Sequence, residues 1–457
     1  MGSRAWRRLG VGVMAVLGVL ASGLSRPAHA WGDHYLISHR AFSNPEFAFV
    51  GEQVAAEPLE DFLAAEGDAV KQLFDDYYGW MAARGSTRFK AQTFDPANPT
   101  LAEFLRAARL HPDTTYPLVN RVLPGEEATR PIVEPAQVWG PLEAKPPLPM
   151  VFEDVTGQQV TGLSVLSTFA DEPDWQMDRS LWGFTEYGYG EQPYGKAEGE
   201  GSKAPFHVQF LHENFLVKAF APEMLEGMML DRIELFERLS HLAFQTGHDY
   251  WGYRFTAWGT HYIQDLSQPY HAKAVPGART AYYLRYAATP RKAWLKVRTT
   301  QLVTNRHLLY EDYVSNGLMR SYTTRELSSQ ALSSYLVAGR PTAEGVDGAE
   351  ALMIRVADAS AGHARTIDKA IKRAYSKQWT RDPEYDIERD PAYAPALSWE
   401  KVDPDGGERL LEQTGVDFES AGVASRTLLS LARAGLSPER PRLSPERPGV
   451  EPASSQE

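Results

Sequence analysis

The chain has no cysteine. Disulfide staples and thiolate metal ligands are therefore excluded, so an exported form would draw its stability from core burial or from metals held by other groups. Positive charge is also scarce: 47 lysines and arginines face 59 aspartates and glutamates, a formal net charge of −12. That balance argues against broad electrostatic capture of duplex nucleic acid, which depends on neutralising many phosphates, yet it leaves room for a metal-lined site that acts on one. Runs of alternating apolar and polar residues are missing too, so no extended antiparallel sheet is expected. What is present, 457 residues with 43% hydrophobic and 23% charged side chains, is ordinary globular composition; collagen-like, wholly disordered and multi-span membrane classes do not fit it.

Residues 1–30 read as a secretory signal: Arg4, Arg7 and Arg8 open it, residues 9–24 are apolar, and Ala28-His29-Ala30 is a small-x-small cleavage site. An uncleaved anchor fits less well, because the apolar stretch is short and glycine-rich. Cleavage between Ala30 and Trp31 would leave 43 basic against 59 acidic side chains, a net charge of −16. The expected product is a monomer released to the periplasm or the medium, with no transmembrane anchor. Helical spacing of apolar residues runs over 59–83, 101–110, 225–245, 253–266, 293–314 and 349–374, which predicts an all-α, multi-helix fold. Residues 111–205 are rich in proline and glycine and too long for an ordinary connection, so they are expected to form an insertion folded over the helical body. One catalytic domain is expected over 31–435. The repeated Leu-Ser-Pro-Glu-Arg-Pro of 436–441 and 443–448 predicts a disordered, proline-rich tail over 436–457.

Chemistry concentrates in three places. The first is His261-x3-Asp265-x5-His271: residues four apart share a helix face, so His261 and Asp265 can share a metal, while Pro269 ends or bends the helix and re-aims His271. The second is His307-x3-Glu311, again at helical spacing and again with ligand types that zinc accepts. Taken singly, the first pattern is as often a hydrogen-bonded core helix, and the second is more often a surface ion pair; their coincidence favours metal. The third is the start Trp31-Gly-Asp-His34, where cleavage would free an α-amine able to chelate a cation together with the Trp31 carbonyl and His34. His241 and His248 read as packing residues, and His39, His111 and His363 have no ligand-spaced partner.

Together the mature tryptophan, the His34-x2-Ile37-x3-Ala41 start, His-x3-Asp-x5-His with its Gln268-Pro269 insert, and the following His-x3-Glu resemble the bacterial zinc-dependent phospholipase C family. That family shares a trinuclear zinc fold with single-strand-specific nucleases and 3′-nucleotidases. The resemblance runs in dispersed motifs from Trp31 to about Val314. It implies three zinc ions: one on the Trp31 terminus and His34, one on His261 with two upstream ligands, and one on His271, His307 and Glu311, with Asp265 bridging the first two. The upstream pair is matched by Asp171, after Phe169-Ala170, and by His207, after Pro205-Phe206; Asp174 and His212 stand as alternatives to them, and the separation of 36 residues between Asp171 and His207 is wider than the family shows. The implied activity is hydrolysis of a phosphodiester in a phospholipid, with Asp171 and Asp265 as the catalytic carboxylates.

Glu311, the Gln268-Pro269-Tyr270-His271-Ala272 run and the absence of cysteine favour a phospholipase over a nuclease acting on single-stranded nucleic acid. Glu172 stands where the lipid enzymes place a tyrosine that helps seat choline, which puts the headgroup in question. The aromatic run Trp175, Trp182, Tyr187, Tyr189 and Tyr194 either wraps a choline or packs on its own body. An acidic body gains nothing from anionic membranes, so neutral headgroups are expected, with lipid contact over 215–230.

Overall fold

The structure, a computed structural model, describes residues 33–85, 89–138, 150–195, 202–220, 222–324, 326–341 and 346–434. The signal segment 1–30, Trp31 and the tail 436–457 lie outside the described residues. The described residues are mostly helical, in keeping with the all-α expectation.

The chain enters at Asp33, whose carboxylate caps α1 (His34–Phe42) by accepting the Leu36 N–H at 3.2 Å. A short strand, β1 (Gln53–Ala55), precedes α2 (Leu59–Ala83), whose buried face follows the helical period through Leu59, Phe62, Leu63, Val70, Phe74, Tyr77 and Met81. After α3 (Leu101–Ala108) the chain makes only short pieces: β2 (Val119–Arg121), β3 (Ile132–Val133), β4 (Phe152–Asp154), β5 (Gln159–Thr161) and α4 (Gly162–Thr168). β4 pairs antiparallel with β2 and with β3, while β5 reaches back to pair antiparallel with β1. Strands of two or three residues cannot display a period-two pattern, which is why the sequence predicts none of them.

Next come α5 (Ala204–His207) and α6 (Phe215–Phe220), and then the central hairpin of α7 (Met229–Thr246) and α8 (Asp249–Ser267). Gly247 closes α7 in the left-handed conformation, φ +92°, and the His248 N–H returns to the Ala243 carbonyl at 2.9 Å, which turns the chain back on itself. α8 is followed by α9 (Pro269–Ala272), α10 (Thr280–Ala288), α11 (Lys292–Thr323), α12 (Leu327–Val337), α13 (Ala349–Ala374) and α14 (Pro404–Ala432).

Every residue of α8 from Tyr250 to Ser267 is buried, so this helix is the axis on which the rest is packed. It touches α1, α4, α7, α13 and α14. Two glycines allow that closeness: a Cβ on Gly252 would come within 2.5 Å of the Phe244 ring on α7, and one on Gly259 within 2.9 Å of Leu428 on α14. One apolar core surrounds α8, a second joins α1, α11, α13 and α14 around Leu309, Ile371 and Phe418, and a third, smaller one gathers Val208, Phe210, Val217 and Tyr286. No described helix is long and apolar enough to cross a membrane.

Candidate metal centre

Five helices and the turn that carries Asp174 bring the ligand-type side chains together. α8 carries His261 and Asp265 one turn apart, and their facing atoms, Nε2 and Oδ2, are 3.3 Å apart. The helix stops at Ser267 because Gln268, constrained by the proline after it, is extended at φ −81°, ψ 119°. Pro269 then opens the single turn of α9, with the Gln268 side chain accepting the Tyr270 N–H at 2.6 Å, and this break aims His271 away from the α8 row. α11 supplies His307 and Glu311, 2.7 Å apart at Nε2 and Oε1. α1 supplies His34 from its first helical position, and the turn of α5 supplies His207.

Three groups result, each with ligand atoms within 4.8 Å of one another: His34, His261 and Asp265; Asp174, His207 and His261; and His271, His307 and Glu311. All eight side chains are buried. His261 belongs to two groups, and Asp265 spans them, with Oδ1 3.4 Å from His34 Nε2 and Oδ2 2.9 Å from His207 Nδ1. His261 Nε2 and His207 Nδ1 face each other at 3.1 Å, as do His271 Nε2 and His307 Nε2 at 3.0 Å.

The rings are aimed by what their other nitrogens touch. His34 Nδ1–H donates to Gln264 Oε1 at 2.9 Å, His261 Nδ1–H to the Ala170 carbonyl at 2.7 Å, and His271 Nδ1–H to the His207 carbonyl. Each of these bonds leaves an Nε2 lone pair pointing into the cluster, the arrangement that metal-ligating histidines use. His207 is reversed: Nδ1 faces inward, and Nε2 lies 3.5 Å from Asp178 Oδ2. Asp178 is itself held by Arg232, through Nε at 2.9 Å and Nη2 at 2.5 Å, and by the Tyr262 hydroxyl at 2.5 Å. His307 is stacked flat against Tyr270, rings 8° from parallel.

The buried cluster is polar beyond what its own hydrogen bonds satisfy. His34 Nε2 and Asp265 Oδ1 are buried without a hydrogen-bond partner. Burial would neutralise Asp265, but His261, His207 and His34 overcome that and hold its carboxyl well below the usual range. Burial likewise opposes charge on His34 and His207, yet Asp265 at the first and Asp178 with Asp265 at the second raise both to about 9. Burial lowers His307 to about 3, and burial with the His34 charge lowers His261. Orphaned lone pairs, facing ring nitrogens and an ionised buried carboxylate are the donor set a divalent cation satisfies. The chain thus has buried histidine and carboxylate groups able to hold metal ions.

The upstream carboxylate is where the geometry departs from the first-choice expectation. Asp174, on the π-helical turn Pro173–Met177, has Oδ1 3.6 Å from His207 Nδ1 and 3.9 Å from His261 Nε2; the buried Lys203 ammonium lies 3.2 Å from that oxygen. Asp171 stands outside the three groups. Its Oδ1 accepts the Tyr35 N–H at 3.1 Å, and its Oδ2 pairs with Arg121 at 2.5 Å. Arg121 also reaches Asp33 and lies over the Tyr35 ring, so Asp171 fastens the start of α1 rather than facing His207. His212 lies away from the cluster, 3.9 Å from Asp358 on the surface. Trp31 lies outside the described residues.

Other expectations resolve simply. His241 meets the Ala432 carbonyl and Gln245, His248 meets Glu57, His39 meets Tyr322, and His363 meets Asp417 and Gln413, all outside the three groups. Trp175, Tyr187, Tyr189 and Tyr194 are buried; the three tyrosine hydroxyls donate to the carbonyls of Leu110, Arg109 and Val208, so this run packs on its own body. Glu172 is buried as well, accepting from Arg254 Nε at 3.0 Å and Nη2 at 2.6 Å and from Trp258 Nε1 at 2.5 Å, and so faces no headgroup. The sequence reading missed Asp178, Gln264, Arg121 and Lys203. None has a motif spacing, and only their polar character inside apolar stretches could have flagged them. Compared with known proteins, the chain matches no family model, no curated protein and no solved structure.

Proposed function

We propose that this chain is a zinc-dependent phosphodiester hydrolase of the phospholipase C type, cleaving phosphatidylcholine-like lipids to diacylglycerol and a phosphorylated headgroup. The observation that carries this reading is the presence of three buried ligand groups, two of them sharing His261 on α8 and spanned by Asp265. In this reading the Trp31 amine and carbonyl, His34 and Asp265 hold one zinc; Asp174, His207, His261 and Asp265 hold a second; His271, His307 and Glu311 hold the third. Bound there, zinc supplies charge for the phosphoryl oxygens, lowers the pKa of water toward neutrality and stabilises the leaving oxygen.

The chain's own part is positional. Asp265 stays ionised although buried, and presents one oxygen to each of two groups. Gln264, the Ala170 carbonyl and the His207 carbonyl hold three imidazole rings with Nε2 facing the cluster; at His34, which Asp265 keeps protonated in the metal-free protein, a cation would displace that proton. Asp171 engages Tyr35 and Arg121 with its two oxygens, which supports a role in holding α1, and His34 with it, in place; in this reading Asp174 takes the ligand role. The choice of lipid over nucleic acid rests on Glu311, on the Gln268–Ala272 run and on the absence of cysteine.

Product analysis tests this. Processed, zinc-loaded protein is offered phosphatidylcholine micelles and single-stranded DNA in parallel, each with a chelator control. Chelator-sensitive release of phosphocholine with intact DNA is expected. Release of nucleotides with untouched lipid would move the enzyme to the nuclease branch, and no chelator-sensitive hydrolysis of either would overturn the hydrolase reading.

A further inference from the structure

The negative charge of this protein is unevenly spread. Between Asp265 and Glu311 the chain carries eight lysines and arginines and not one carboxylate. That acid-free stretch forms α9, α10 and the first half of α11, and α10 and α11 are joined only by residues 289–291 as a helical hairpin. The Tyr282 hydroxyl donates to Thr299 across the hairpin at 2.8 Å, and Tyr283, Tyr286 and Leu295 turn inward onto Val217 of α6 in the third core.

The outward face is the reverse of an ordinary solvated helix. On α10 the exposed residues are Thr280, Ala281, Leu284, Arg285 and Ala288; on the first turns of α11 they are Ala293, Trp294 and Val297. Leu284 is 54% exposed, Trp294 54% and Val297 62%, and Phe215 is 64% exposed beside Asn214, which bonds Thr280 at the start of α10. Large apolar side chains at such exposure cost solvation unless something covers them. Around them, Arg298 and Arg306 are paired with Glu384 and Asp368, whereas Arg279, Arg285, Arg291 and Lys292 make no ion pair among the described residues. Arg279 carries the positive charge on to α13, where Arg365, Arg279, Arg373 and Arg409 lower the pKa of Lys369.

We propose that the α10–α11 hairpin, with Phe215, is a docking surface for an anionic phospholipid bilayer. Trp, Leu, Val and Phe enter the headgroup region, and the surrounding arginines and Lys292 meet the lipid phosphates. The occupant follows from charge complementarity: the unpaired Arg279, Arg285, Arg291 and Lys292 around exposed apolar side chains fit an anionic lipid interface. A single-stranded nucleic acid would be served by a row of aromatic faces; here Trp294 and Phe215 are interleaved with Leu284 and Val297, which offer none. The hairpin runs directly into His307 and Glu311 on α11, so the same helix that touches lipid carries two of the candidate ligands. The overall acidic charge had pointed to neutral membranes; the local charge points to anionic ones. The inference extends the phospholipase reading without resting on it.

The test uses the full processed chain with its metal and vesicles of equal parts phosphatidylglycerol and phosphatidylcholine. Energy transfer from tryptophan to a dansyl-labelled lipid reads binding before turnover accumulates. Wild-type binding is expected to fall steeply with salt and to be weak on pure phosphatidylcholine. R285Q/R291Q/K292Q should lower binding on the order of 100-fold, and F215S/L284S/V297S, which keeps the Trp294 donor, should abolish it, with melting temperatures and hydrolysis of monomeric short-chain phosphatidylcholine unchanged. Equal binding by wild type and both variants would overturn the proposal, as would salt-independent binding. Binding to a single-stranded oligonucleotide instead of vesicles, lost in the arginine variant, would overturn it in favour of nucleic acid. Should the short-chain lipid resist hydrolysis while vesicle binding behaves as expected, the enzyme reading fails and the docking surface stands.

Discussion

Asp178→Asn is the perturbation that separates a metal centre from a buried polar core. Asp178 sits behind His207, 3.5 Å from its Nε2, and is held ionised, in spite of burial, by Arg232 and His207. An asparagine keeps the shape and an oxygen for Arg232, whose guanidinium also donates to the carbonyls of Ala108 and Arg109 at 2.9 and 3.0 Å. The stability cost is therefore that of weakening a charge-assisted hydrogen bond, about 1.5–3 kcal/mol, and not the larger cost of stranding a buried arginine. On His207 the effect is sharper. An amide N–H facing Nε2 favours the tautomer with its proton on Nδ1, the atom that faces Asp174, His261 and Asp265. If His207 is a ligand, affinity for the metal in that group falls about 10- to 100-fold. Zinc titration against a competing chelator reads this directly, with melting temperatures in chelator as the folding control. A folded variant with unchanged affinity would refute the assignment of His207 Nδ1 as a ligand.

Three further outcomes follow from the same geometry. Gly252→Ala should lower the melting temperature by the equivalent of about 1–3 kcal/mol, because its Cβ would press on the Phe244 ring; an unchanged melt would mean the α7–α8 contact is looser than described. Glu172→Ala should cost about 3–5 kcal/mol by leaving Arg254 charged and buried, whatever lipid is offered; a stable variant with altered headgroup preference would restore Glu172 to the substrate site. In metal-free protein His34 and His207, raised to about 9 from 6.5, bind protons more tightly folded than unfolded. The stability they give is complete below about pH 6.5 and is lost as pH rises through 9. Calorimetry with and without chelator should show the metal-free melt dropping across that window, and parallel curves would contradict it.

Much of the centre was legible because helices repeat. His261 with Asp265 and His307 with Glu311 declare themselves by spacing, and Pro269 marks where His271 must turn. The long helices were legible for the same reason, their apolar stripes being several turns long. The upstream ligand was not: between Phe169 and Met177 the backbone passes from a 3-10 turn into a π-helical one, and where turns have different pitch no spacing rule says whether residue 171 or 174 faces the cluster. Glu172 likewise looked like a specificity residue until its partner, Arg254, 82 positions away in sequence, was in view. The acid-free stretch from 266 to 310 was plain in the sequence, but it acquired a meaning only when its apolar side chains proved to face outward.

One buried arginine ties the two ends of the described chain together. From α14, Arg426 donates to the Ala41 carbonyl on α1 at 2.8 Å and to the Leu336 carbonyl on α12 at 2.7 Å, clamping the first described helix with the last. His34 rides on that first helix. The anchoring of α1 is thus complete only once residue 426 has docked beside residue 41, a closure over nearly the whole sequence and slow for that reason. Loss of the final helix should therefore cost the first group its histidine before it costs the others theirs.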